Sequence, residues 1–335
     1  MGDMSQFHTD RRTGLGGSDI GAILGLNPWR TPFQVFQEKT GKAEPFTGNL
    51  QTRFGSYAEE FVAREYCEQT GRQVQRFNGL LRHPEAPLIG HIDRLVIPEG
   101  SKRASWRQEI RTDLGLEAKT ASAFAAGRDS EWGEAGTDAV PPSYLTQSAV
   151  YMALTGCPHW DLAVLFGNQE FRIYHLARDL ELEGYILEEA SRWWRDHVVA
   201  GVAPNPSSEL EARQRWPRHS DGKVIDADDE MVMLLNKLAY CKRRGKEVSD
   251  EEQAIKDRLY PLLADADSVR RGEMSLATYR ANRDSQRTDW QAVANAVMNS
   301  MQVPLHERMS WIDQYTTTQP GARVLRLAKD LERFQ

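Results

Sequence analysis

The sequence predicts an α/β domain over residues 1–200 followed by a mainly helical C-terminal region. Three observations carry this: helix-spaced apolar residues up to Gly71, short strand-like segments from Gln73 onward, and renewed helical spacing from Pro141 with two apolar runs behind it. Thr31-Pro32 supplies the capping hydroxyl and first-turn proline of a short helix through Phe33, Val35 and Phe36 that closes at Gly41. Tyr57, Phe61, Val62 and Tyr66 mark an amphipathic helix over Gly55 to Thr70. Strands are expected over Gln73–Arg82, Leu88–Ile97 and Leu114–Thr120, interrupted by His83-Pro84-Glu85-Ala86-Pro87 and by a charged loop. Pro141-Pro142-Ser143 opens a helix that ends at Gly156, and Gly167-Asn168 turns Trp160–Phe166 back into Phe171–Leu176. Asp179 starts a long helix with Leu182, Ile186, Ala190, Trp193 and Trp194 on its face, where the two tryptophans read as core.

Residues 201–221, rich in proline and serine, read as a linker, and residues 222–335 as a helical hairpin and extension. The hairpin is expected from Asp226–Arg244 and Ser249–Ala264 around Arg243-Arg244-Gly245-Lys246, a run that reads as a solvated helix end. Beyond it, 267–280 and 321–327 suggest two short edge strands around one helix at Trp290–Met298.

A net charge of -6 over 335 residues excludes a protein that coats nucleic acid by bulk electrostatics, so any nucleic-acid site must be local. No apolar run reaches the roughly 18 residues of a membrane span. Asp3, His8 and Asp10 stand where a signal peptide needs apolar residues, so no export is implied. Cys67, Cys157 and Cys241 are odd in number and far apart, which fits a reducing cytoplasm.

The chemistry is expected on the strands. Glu117 and Lys119, two apart, point to one face of a strand, a spacing that alternating charges on a solvated face would also produce. Asp93 sits among apolar neighbours in the preceding segment, so adjacent strands can aim Asp93, Glu117 and Lys119 at one point. Carboxylates held together need a compensating cation, and Mg2+, with its preference for oxygen ligands, suits phosphodiester hydrolysis there. The similar Asp221-Gly222-Lys223 lies in the polar linker and lacks strand context.

Asp93 followed by Glu117-Ala118-Lys119 resembles the core of the PD-(D/E)XK nucleases, with Ile92 in place of the usual proline. The stretch Gly14-Leu15-Gly16-Gly17-Ser18-Asp19-Ile20, with Ile23 to Pro32 behind it, resembles the opening signature of the YqaJ-like viral recombinase family, itself similar to the phage lambda exonuclease. Gly55-Ser56-Tyr57-Ala58-Glu59-Glu60 and Tyr144-Leu145-Thr146-Gln147 match two further blocks, and the resemblance spans Arg11 to Val199. It implies a mixed central sheet flanked by helices. It also implies Glu59, Asp93, Glu117 and the Ala118 carbonyl as ligands of two Mg2+ ions, which Mn2+ can replace, with Glu60 as the alternative helix acid. Lys119 and Gln147 are implied as catalytic and Tyr144 as their neighbour one helical turn away, while Ala149 stands where some members carry a second glutamine. Arg11 and Ser18 match the residues that hold a DNA 5′-phosphate. Arg12 is a substitute for Arg11, and Ser18 read alone is an ordinary helix cap. His91, two before Asp93, is expected to line the site.

The implied activity is 5′ to 3′ digestion of one strand of linear duplex DNA, giving 5′-mononucleotides and a 3′ overhang. The implied partners are DNA ends, a phage single-strand annealing protein and two further copies in a homotrimeric ring, in the cytoplasm of a bacterial host with the gene on a phage or prophage. The alternatives are a structure-selective endonuclease and a non-catalytic module that binds DNA ends.

Overall fold

The computed structural model describes residues 10–43, 48–107, 109–126, 131–318, 321 and 324–328. The chain divides into two compact units, one ending at Arg215 and one starting at Trp216.

The first unit is built on strands β1 (Val74–Arg76), β2 (Arg94–Val96), β3 (Leu114–Ala121), β4 (His159–Phe166) and β5 (Glu170–Ala177), which lie side by side in that order. β3 and β4 run parallel and the other neighbours antiparallel, so the sheet is mixed as expected. Around it stand α1 (Gly17–Ile23), α2 (Pro32–Lys39), α3 (Leu50–Thr70), α4 (Pro142–Thr155) and α5 (Leu180–Trp193). Helix α4 is the crossover that a parallel β3–β4 pair requires.

Strand alternation divides the core in two. Leu116 and Ala118 of β3 and Ala163 of β4 pack with Val62 and Tyr66 of α3. Trp160, Leu162 and Val164 point the other way, toward Val150 and Met152 of α4 and Ile186 and Ala190 of α5. Glu117 pairs in register with Leu162, so its side chain leaves the sheet on the α4 face. Thr31 caps α2, Asp179 caps α5, and Gly71 and Gly156 close α3 and α4 in the left-handed conformation, as the sequence predicts. Trp193 is buried in the core.

Several expectations need correction. The segments around Asp93 are shorter than predicted: Leu81–Arg82 and Ile89–Gly90 pair apart from the main sheet, and Asp93 occupies the bend just before β2. Residues 201–221 are not a linker throughout, because Glu209–Arg215 forms helix α6 within the first unit. Its buried Glu211 accepts from the Thr31 hydroxyl at 2.6 Å and from Ser207 N–H at 2.8 Å.

In the second unit the expected hairpin is one 35-residue helix, α7 (Asp229–Leu263). A lone Gly245 costs a helix only about 1 kcal/mol, too little to turn a chain flanked by good helix formers. Ser268–Arg271 and Met274–Thr278 pair as an antiparallel ribbon, followed by α8 (Trp290–Ser300) and a second, unexpected helix α9 (Leu305–Tyr315). The strand expected over 321–327 is not found among the described residues there. Among the described residues no helix is long and apolar enough to cross a membrane.

Candidate active site

The end of β3, the bend before β2 and the first turns of α4 converge. Asp93 Oδ2 accepts the Ala118 N–H at 3.0 Å, which ties the bend to β3. Glu117 is buried. Its Oε1 accepts from Lys119 Nζ at 2.6 Å and from Gln147 Nε2 at 2.8 Å, while its Oε2 is buried with no hydrogen-bond partner among the described residues. Gln147 also donates to the Tyr151 hydroxyl at 2.8 Å, one turn along α4. Lys119 Nζ lies 5.8 Å from the centre of the Tyr144 ring. The expected cluster of Asp93, Glu117, Lys119 and Gln147 is therefore assembled, with Tyr144 beside it.

The electrostatics follow from burial. Desolvation and the neighbouring Glu117 charge push the Asp93 carboxyl up to about 8, against the pull of Lys119. Burial alone would weaken the Lys119 ammonium, but Glu117 and Asp93 outweigh it and hold its affinity for the proton above normal. Burial and the Glu117 charge likewise keep the Tyr151 hydroxyl protonated well above its ordinary range.

Glu59 and Glu60 depart from the expectation that one of them completes a metal site. Both are taken by Arg94: Nη1 reaches Glu59 Oε1 at 2.7 Å and Nη2 reaches Glu60 Oε2 at 2.8 Å. Arg76 adds a second contact to Glu59 at 3.2 Å. Arg94 is buried, and its Nη1 also donates to the Asp93 carbonyl at 2.8 Å. Sequence reasoning missed it, although a cation directly after a site acid was the available signal.

Among the described residues no three His, Cys, Asp or Glu side chains stand together as a ready metal cage. The donors present are two carboxylates, one carrying the unpartnered Glu117 Oε2 and the other holding its proton to about 8 through burial and the neighbouring Glu117 charge. That pair fits a single Mg2+, which is commonly held by one or two carboxylates plus waters. A second ion lacks a carboxylate of its own while Arg94 holds Glu59.

Ser18 lines an open cleft of about 810 Å³ together with Trp29, Lys119, Tyr144 and Gln147. The helix cap is Gly16 rather than Ser18, which sits within the first turn of α1. A Cβ on Gly17 would stand 2.8 Å from Gln147 Cγ, so glycine there lets α1 lie against the glutamine that holds Glu117.

Arg11 belongs to a network that the sequence did not disclose. Its Nε donates to Glu38 at 2.8 Å and its Nη2 lies 3.5 Å from Asp19. Buried Asp19 also receives Arg30 and Lys39, each at 2.6 Å, and the Gly16 N–H at 2.8 Å. Burial would raise the Asp19 carboxyl, but Lys39, Arg30 and Arg11 together lower it to about 2. Arg12 is exposed. His91 is also exposed, in the coil ahead of the Asp93 bend, so strand alternation does not place it on a face with Asp93 as expected.

Residues 6–158 match the model of the YqaJ-like viral recombinase domain. It is 29% identical over 266 residues to the uncharacterized protein YqaJ of Bacillus subtilis (strain 168), covering 77% of each. Among solved structures it is similar to the alkaline exonuclease LHK-Exo of Laribacter hongkongensis, with a TM-score of 0.44 at 16% identity over 63% of this chain and 98% of that one. A phage related exonuclease from Haemophilus somnus 129PT gives 0.38 at 12% identity, over 58% and 99%. In this chain a mixed sheet flanked by helices brings Asp93, Glu117 and Lys119 together.

Proposed function

We propose that this protein is a Mg2+-dependent exonuclease that digests one strand of linear duplex DNA from its 5′ end. The observation that carries the reading is the buried, unpartnered Glu117 Oε2 beside Asp93 and Lys119, on a domain of the YqaJ-like viral recombinase type. Asp93 and Glu117 would hold the metal, with the Ala118 carbonyl as a further donor. When bound, Mg2+ supplies positive charge to the phosphate undergoing hydrolysis and acidifies water; Mn2+, also an oxygen-seeking ion, substitutes.

Lys119 orients the attacking water and offsets charge that builds on the phosphate. Gln147 holds Glu117 in place through Oε1, leaving Oε2 for the metal. Water adds to phosphorus as the P–O3′ bond breaks, the 3′ oxygen takes a proton, and a 5′-mononucleotide leaves. Arg11 and Ser18 hold the terminal 5′-phosphate, with phosphate displacing Glu38 from Arg11. The 3′ overhang passes to a phage-type annealing protein, and three chains enclose the duplex, as the resemblance implies.

The test is digestion of linear duplex labelled at either 5′ end, with and without a terminal phosphate, in Mg2+ and in chelator. Labelled mononucleotides in Mg2+ alone are expected. Intact linear duplex together with nicked closed circles would assign the site to an endonuclease instead.

A further inference from the structure

Helix α7 is about 52 Å long at 1.5 Å per residue, and all 35 of its residues are exposed or half-exposed. From Met231, steps of three and four residues reach Leu262 and meet an apolar side chain at eight of ten positions, the exceptions being Gly245 and Glu252. The large apolar side chains of this stripe are exposed, as is Cys241. The half-buried residues Val232, Leu235, Asn236 and Ala239 form a different strip. A repeat of 3.5 sustained over more than four heptads is the pattern of a helix that supercoils with another helix. An apolar strip this long, left open to water, needs a partner of equal length.

Charge identifies that partner and its direction. Lys237, Lys242, Arg243, Arg244 and Lys246 make the first half of α7 basic, and Glu247, Asp250, Glu251 and Glu252 follow at once. Two parallel copies would lay cations on cations and acids on acids. Two antiparallel copies, with Met231 opposite Leu262, bring Leu234 opposite Leu259 and Leu238 opposite Ile255. The same register sets residues 242–246 of one copy beside 247–251 of the other, opposite in sign and within a Debye length. We propose that α7 pairs with α7 of a second copy of this chain as an antiparallel two-stranded coiled coil. The pairing is independent of the nuclease reading.

Cys241 reports the direction. In a parallel pair Cys241 faces Cys241, whereas in the antiparallel pair it faces Glu252. The experiment measures the mass of the full-length chain by light scattering, for wild type and for Leu238→Glu combined with Ile255→Glu. Both side chains are exposed in the single chain, so its fold tolerates the change. The mass is expected to fall by half; an unchanged mass overturns the proposal. Under mild oxidation, Glu252→Cys is expected to crosslink two chains while wild type stays uncrosslinked. A Cys241–Cys241 disulfide in wild type overturns the antiparallel pairing.

Discussion

Arg94 grips Glu59 at 2.7 Å while the same nitrogen reaches back to the Asp93 carbonyl at 2.8 Å. One buried guanidinium thus couples the helix acid of α3 to the bend that carries a site acid. Removing one partner of a buried pair leaves an uncompensated charge, so Arg94→Met should destabilise the protein by about 3 kcal/mol. Adding Glu59→Gln should recover part of that loss, which urea unfolding of the single and double variants would register. Simple additivity of the two losses would mean that the pair is not coupled.

The two shifted acids pull stability in opposite directions with pH. Asp19 has its carboxyl lowered to about 2, so its contribution is complete above the ordinary range near 4 and disappears as pH falls through about 2. Asp93 is raised to about 8, so stability drops as pH rises from about 4 toward 8, because the unfolded chain releases a proton that the folded one keeps. If Asp93 holds the proposed Mg2+, the ion has to displace that proton, so its effect on melting temperature should grow between pH 6 and 9. Asp93→Asn should flatten this trend; a slope equal to wild type would remove Asp93 from the metal site.

The contrast between these acids marks what sequence can and cannot disclose. Glu117 and Lys119 were legible because period-two alternation alone puts them on one face, and β3 is long enough to keep that period. Asp93 was legible as a residue but not as a bend, since the break between Ile89–Gly90 and β2 leaves no turn signature. Arg94 and the Asp19–Arg30–Lys39 cluster stayed hidden because their partners are 8 to 35 residues away, and only tertiary packing brings such charges together. The expected hairpin differs from the single helix because Gly245 within a charged run looks like a turn, although Lys242, Arg243, Arg244, Lys246 and Glu247 around it favour helix.

The 5′-phosphate assignment can be separated from the structural role of the same residues. Arg11 bridges Glu38 and Asp19, so Arg11→Ala should lower stability and also remove the preference for phosphorylated ends. Ser18 lines the cleft, so Ser18→Ala should reduce that preference with little change in unfolding midpoint. Equal rates on both kinds of end in the wild type would leave Arg11 a purely structural residue.

Gly17 offers a way to disturb Gln147 without altering any functional group. Its missing Cβ would stand 2.8 Å from Gln147 Cγ and 3.1 Å from the Gln147 backbone, so Gly17→Ala must push the glutamine or α1 aside. Overpacking of this kind costs about 1–3 kcal/mol. The shift should also loosen the 2.8 Å bond to Glu117 Oε1, and misplacement near 1 Å can slow a reaction roughly a hundredfold. Gly184→Ala, in open space inside α5, is the control: it should leave digestion intact and raise stability by up to about 1 kcal/mol.

The acids and the lysine should fail in different ways. On the proposed metal site, Glu117→Ala or Asp93→Ala removes a ligand, so digestion should drop by roughly a hundredfold or more. Asp93→Ala relieves the repulsion between the carboxylates and should hold or raise metal-free stability, whereas Glu117→Ala strips Lys119 of its 2.6 Å partner and should lower it. Mg2+ should then no longer raise the melting temperature of either variant. Lys119→Ala leaves both acids in place but takes the 2.6 Å cation from Glu117, so Mg2+ should bind at least as tightly while hydrolysis is lost. Calorimetric titration of Mg2+ beside digestion of linear duplex separates the two patterns. If all three variants lost metal binding and activity together, Lys119 would be a structural counter-ion for Glu117 rather than a participant at the phosphate.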